Sequence, residues 1–184
     1  MRANKFIKFA LAIVPALVTV LALTAGVVGA NNDQGRHQIE DVRAATAPFQ
    51  NLSVAIGRHY GLLTDAKGIA CIDNPGVGAM GVHYVNSGLV GTTAVDPRKP
   101  EALVYEPGSN GQLRLVAVEY VTFKAQWDAT HKSRPKLFGQ TFMLTPDGNR
   151  FGLPAFYSLH AWIWKHNPDG TFAMWNPTVH CPSA

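Results

Sequence analysis

The chain has 184 residues, with 16 Lys and Arg against 12 Asp and Glu, 47% hydrophobic residues and two cysteines. This length suits one domain plus a targeting segment, and two cysteines are too few for a disulfide-dense scaffold. Three of the basic residues, Arg2, Lys5 and Lys8, lie at the N-terminus; the remainder holds 13 basic and 12 acidic residues with no Lys/Arg cluster, which argues against nucleic acid as a partner.

Residues 1–30 read as a secretory signal. The basic start is followed by an apolar run from Phe9 to Val28, and Val28-Gly29-Ala30 places small residues where a signal peptidase cuts. The rival reading is an uncleaved anchor, because about 20 apolar residues span a bilayer. Pro15 and Gly26 weaken such a helix. Either route sends residues 31–184 outward, as a secreted or cell-envelope domain, and membrane contact is expected only through this segment if it is retained.

Residues 31–36 are polar and read as loose, and 37–60 as helical. Ile39, Val42, Ala45, Phe49, Leu52 and Ile56 recur at three- and four-residue steps, one apolar helix face. Pro48 kinks this run or starts a second helix, with Thr46 as the expected cap. Asn51-Leu52-Ser53 is formally a glycosylation sequon inside this helix. Residues 62–78, with Gly68, Asp73, Asn74, Pro75, Gly76 and Gly78, carry turn chemistry rather than a regular element. Strands are then expected over 79–86, 101–106, 112–123, 137–144 and 156–164. They are separated by the turn signals Asn86-Ser87-Gly88, Asp96-Pro97-Arg98-Lys99-Pro100, Gly108-Ser109-Asn110-Gly111 and Pro146-Asp147-Gly148-Asn149. Residues 165–184 read as a tail pinned by a cysteine. One helical region followed by about five strands predicts an α+β fold, the helices packed on a curved antiparallel sheet or small barrel. Strict alternation in 113–121 groups Leu115 and Ala117 with Glu119, and Val116 with Val118 and Tyr120.

Cys71 and Cys181 both fall in the exported part, where a disulfide between them is expected. Closing a loop of roughly 100 residues stabilises by about 4–5 kcal/mol in the chain-entropy model. The competing reading, metal ligation by Cys71, Cys181 and His180, lacks a C-x-x-C pair.

Three apolar stretches, 79–85, 113–121 and 156–164, each carry an acid or imidazole that apolar surroundings make costly: His83, Glu119 and His160. If they share a face, two imidazoles and one carboxylate form a set that binds a divalent transition metal and leaves coordination positions open. The same set, free of metal, lets Glu119 orient a histidine base. The bland alternative is a buried cluster that satisfies only itself. Around it, Gln140 (between Phe138 and Phe142), Trp162 (sharing a face with His160 on alternation) and Glu106 (a reserve carboxylate at a strand end) are the candidate ligand-pocket residues. Trp162, Trp164, Phe172 and Trp175 crowd the C-terminal region as core, pocket wall or sugar-stacking surface. There is no Gly-rich phosphate loop, Gly-x-Ser-x-Gly elbow or His-Glu-x-x-His helix. His37, His59, His131, His166 and His180 read as ordinary helix and loop residues.

The blocks Gly78-Ala79-Met80-Gly81-Val82-His83-Tyr84-Val85-Asn86, Pro100 to Pro107, Leu115 to Val121, Leu137-Phe138-Gly139-Gln140 and Leu159-His160-Ala161-Trp162-Ile163-Trp164 through Trp175-Asn176-Pro177 to Cys181 resemble a family of small exported bacterial proteins. The resemblance covers roughly residues 40–181. It implies export and a single domain, and it transfers no catalytic residues. The functional expectation is therefore an exported protein binding a small ligand or metal at a His/Glu site in an aromatic-lined pocket, with catalysis left open. The alternative is a structural or interaction protein of the cell envelope.

Overall fold

A computed structural model describes residue 35 and residues 37–182. The expected signal segment 1–30 lies outside the described residues, as do 31–34, 36, 183 and 184. A helix over 37–46 (α1) is followed by a 3-10 turn, Ala47–Gln50, and a second helix, Leu52–Gly57 (α2). Pro48 does start a new element. Thr46 does not cap it, because its own backbone is helical; its hydroxyl donates instead to the Val42 carbonyl at 2.7 Å and accepts from Trp164 Nε1 at 3.1 Å. Asn51 caps α2, its side chain accepting the Ser53 N–H at 3.0 Å. The break resets the helical period, so Val42 and Ala55 are buried but Ile56 faces solvent.

The strands are Gly61–Leu62 (β1), Cys71–Asn74 (β2), Gly78–Val85 (β3), Ala102–Pro107 (β4), Leu113–Phe123 (β5), Lys136–Leu137 (β6), Gln140–Thr141 (β7), Met143–Thr145 (β8) and Phe156–Ala161 (β9). Short helices Ser87–Val90 (α3) and Lys124–Asp128 (α4) follow β3 and β5. Seven strands form one antiparallel sheet in the order β1-β3-β4-β5-β9-β8, with β2 also pairing β3; β6 and β7 form a separate hairpin. The class is α+β as expected. β1 and β8 end the path without meeting, so the sheet is open and the barrel alternative is excluded.

Three strand expectations need correction. Residues 71–74 are a strand despite their turn-rich surroundings, because β3 supplies the ladder partners. The expected strand 137–144 is broken after Leu137: Phe138 and Gly139 both have positive φ, 53° and 74°, the pattern of a two-residue hairpin turn. β9 stops at Ala161, and Trp164 and Lys165 donate their backbone N–H groups to the Val116 carbonyl.

A register shift on β4–β5 aligns Val104 with Ala117 but Tyr105 with Leu115, leaving Val116 as the extra residue of a bulge. The alternation therefore flips there. Leu115 joins Leu103, Tyr105, Val118, Tyr120 and Leu159 on the face packed against Val42 and Ala55, and Val116 joins Ala117 on the other. That second face, with Ala79, Val104, Val116 and Ala117, is covered by Trp162 and by Val179 of the tail. The Cys71–Cys181 disulfide, with a Cα–Cα distance of 5.7 Å, fastens this tail to β2. Two glycines permit the close approaches. A Cβ on Gly81 (φ +105°) would lie 2.5 Å from the Tyr105 carbonyl oxygen, and one on Gly78 (φ +145°) 2.5 Å from that of Asn176. Among the described residues no helix is long and apolar enough to cross a membrane.

Candidate metal centre

The register builds the site. Glu119 on β5 stands directly opposite His160 on β9 and Ala102 on β4; His83 on β3 stands opposite Val104, which is opposite Ala117. Ala117 and Glu119 are two residues apart, so the three polar groups project from one face across four adjacent strands. All three are buried: 2% exposure for His83, 8% for Glu119 and 3% for His160.

Their donor atoms converge. His83 Nε2 lies 3.4 Å from His160 Nε2 and 3.5 Å from Glu119 Oε2, and His160 Nδ1 lies 3.4 Å from Glu119 Oε1. One ligand atom from each residue can be chosen so that all three lie within 4.8 Å of one another. Donors bound at about 2.0–2.1 Å around a tetrahedral metal stand about 3.3 Å apart, so two of the observed contacts already have the span of a coordination edge. A proton on His160 Nδ1 facing Glu119 Oε1 leaves Nε2 of that ring as its lone-pair nitrogen. Glu119 reaches both rings, with Oε1 beside His160 Nδ1 and Oε2 beside His83 Nε2.

Electrostatics favour the same use. Burial lowers both imidazoles to about 4; for His83 the Glu119 carboxylate works against this, while His160 and Arg150 add to it. Burial raises the Glu119 carboxyl, opposed by His83 and by the Ser158 hydroxyl. Both histidines are therefore neutral at ordinary pH, as metal ligands must be. His83 Nδ1 is buried without a hydrogen-bond partner; the Gly81 backbone favours the charged ring, but no group meets that nitrogen at bonding geometry.

The three side chains line the floor of a cavity of about 700 Å³. Its aromatic wall is Phe123, Phe151, Phe156 and Trp175, with Met80, Val85, Val90 and Val121 beside them and Ser158 next to the triad. Arg150 stands at the rim, bound to the Asp65 carboxylate at 3.0 Å and the Asp73 carbonyl at 3.2 Å.

The three expected pocket residues lie elsewhere. Trp162 packs behind the site: its ring is 6.3 Å from that of His160, and its Nε1 donates to the Ala173 carbonyl at 2.6 Å. Gln140 is exposed on the β6–β7 hairpin, because the turn at Phe138-Gly139 takes it out of the main sheet. Glu106 is half-buried at the end of β4, accepting from Lys165 at 2.6 Å and Arg114 at 2.9 Å; burial works to raise its carboxyl, but these two cations hold it below the usual range. The cavity's own lining was partly visible in the alternation, since Val121 and Phe123 follow Glu119 by two and four residues, and Ser158 and Phe156 precede His160 likewise. Arg150 had no such signal.

The disulfide belongs to an oxidising compartment. No protein-family model, characterised protein or solved structure matches this chain.

Proposed function

We propose that the protein is exported and binds a divalent transition metal through His83, Glu119 and His160, at the floor of a cleft that admits a small molecule to the metal. The observation that carries this reading is the convergence of two imidazoles and a carboxylate, buried side by side, in the lining of a cavity. Two His and one carboxylate suit zinc, iron(II) or manganese(II) and leave positions for water or ligand. Export is supported by the N-terminal signal pattern and by the disulfide. A cluster serving only the fold of an envelope protein is disfavoured by the cavity that all three side chains line.

The test is metal retention. Secreted protein stripped with chelator, loaded separately with the three metals and dialysed, should keep about one metal per chain of at least one of them. Glu119→Gln and His83→Ala should each abolish retention. Failure to keep any of the three metals overturns the reading.

A further inference from the structure

We infer that the cleft takes a predominantly apolar molecule ending in a single carboxylate, its acid group at the metal and its body among the aromatic rings. This rests on the metal reading above. Three observations carry it: the wall chemistry, the charge of the floor and the charge of the rim.

The cavity, at about 700 Å³, has the size of a pocket for a small organic ligand. The buried polar residues of its lining are the triad and Ser158; Asp73, Asn74, Ser87, Thr145, Asn149 and Arg150 are its more exposed polar members, and apolar residues such as Val85, Val90, Val121, Phe123, Phe151 and Phe156 make up most of the rest. A ligand complementary to this surface is apolar over most of its length and polar at its buried end.

The charge count specifies that end. Imidazoles that ligate a metal are neutral, so a divalent metal and the Glu119 carboxylate leave the floor one positive charge in excess. The three residues are at most 8% exposed, so water screens that charge poorly. A monoanion at an open coordination position cancels it. An alcohol leaves it uncompensated.

The rim specifies the other end. Arg150 is a cation there, but its guanidinium is already matched by Asp65, which is buried, and by the Asp73 carbonyl. The Asp73 side chain is exposed at the same rim. Among the described residues that line the cavity Arg150 is the one Lys or Arg, so a second acid on the ligand would find no free cation there and would meet a carboxylate. One acid group, not two, fits the site.

Calorimetric titration with three probes of equal chain length, dodecanoate, dodecanol and dodecanedioate, below their aggregation limits, tests this on the metal-loaded and the metal-free disulfide-bonded protein. Dodecanoate should bind the loaded protein about tenfold or more tighter than either other probe, and tighter than it binds the metal-free protein. Val121→Trp, which fills the cleft, should keep the metal and lose dodecanoate; Val90→Trp does the same from α3 if the first variant misfolds. Equal binding of dodecanol and dodecanoate, or dodecanoate binding that survives both variants, overturns the inference and leaves the metal reading standing. Absence of bound metal removes both.

Discussion

Glu101 provides a quantitative check on the fold around the site. It is 4% exposed, beside Pro100 at the start of β4, and its Oε2 accepts the Val121 N–H at 3.0 Å. Burial pushes its carboxyl from 4.5 up to about 7; the Val121 N–H pulls it down and the negative charges of Glu119 and Asp96 push it up further. The folded chain therefore holds this proton more tightly than the unfolded chain does. The contribution to stability is fully present below about pH 4.5 and is lost as pH rises through about 7. A rise from 4.5 to about 7, at about 1.36 kcal/mol per unit, is worth about 3 kcal/mol. Glu101→Gln removes the titration and keeps a carbonyl to accept from Val121. Urea unfolding followed by tryptophan fluorescence should show the stability difference, variant minus parent, growing by about 3 kcal/mol between about pH 4 and pH 8. The buried histidines act in the opposite direction over the acid part of this range, but they do so in both proteins and cancel in the difference. A difference that stays flat with pH would mean that the carboxyl is hydrated, and would refute the packing described for the β4–β5 end.

Gly81→Ala should destabilise by about 1–3 kcal/mol or more, from a positive φ and a Cβ driven against the Tyr105 carbonyl oxygen; it should also weaken metal retention, because His83 lies two residues along the same strand. Thermal unfolding and metal analysis read the two effects separately. Reducing Cys71–Cys181, or replacing both with Ser, should cost about 5 kcal/mol for a closed loop of separation 110 in the chain-entropy model, measured by denaturant unfolding. Acid should destabilise the parent as pH falls below about 6.5 toward about 4, because two imidazoles held neutral by burial must then be charged; His160→Gln should reduce this acid sensitivity.

Much of this arrangement was legible in the residues. The charges within three apolar runs point to the triad because an ionisable group in a dry strand needs a partner. The two-residue period gives the right faces for Glu119, Val118 and Tyr120, since no irregularity intervenes between them. It fails at Leu115 and Val116, where a bulge inserts one residue and nothing in Leu-Val-Ala-Val marks the insertion. β2 was hidden because Cys71–Asn74 becomes a strand only through pairing with β3, a tertiary effect that overrides local turn preference. Gln140 was misplaced because Phe138, a bulky residue, adopts positive φ in the turn before it; Phe138 stacks on Phe172 and meets Tyr120 edge-on, contacts that hold it there. Arg150 reaches the rim from a loop far along the chain, and only the folded geometry brings it to Asp65.

X-ray absorption at the metal edge of the loaded protein tests the central claim most directly. The predicted result is a shell of nitrogen and oxygen donors at about 2.0–2.2 Å, containing two imidazoles, and loss of that bound metal in His83→Ala and in His160→Ala. A bound metal with no imidazole scattering, or with a shell unchanged by both substitutions, would contradict it.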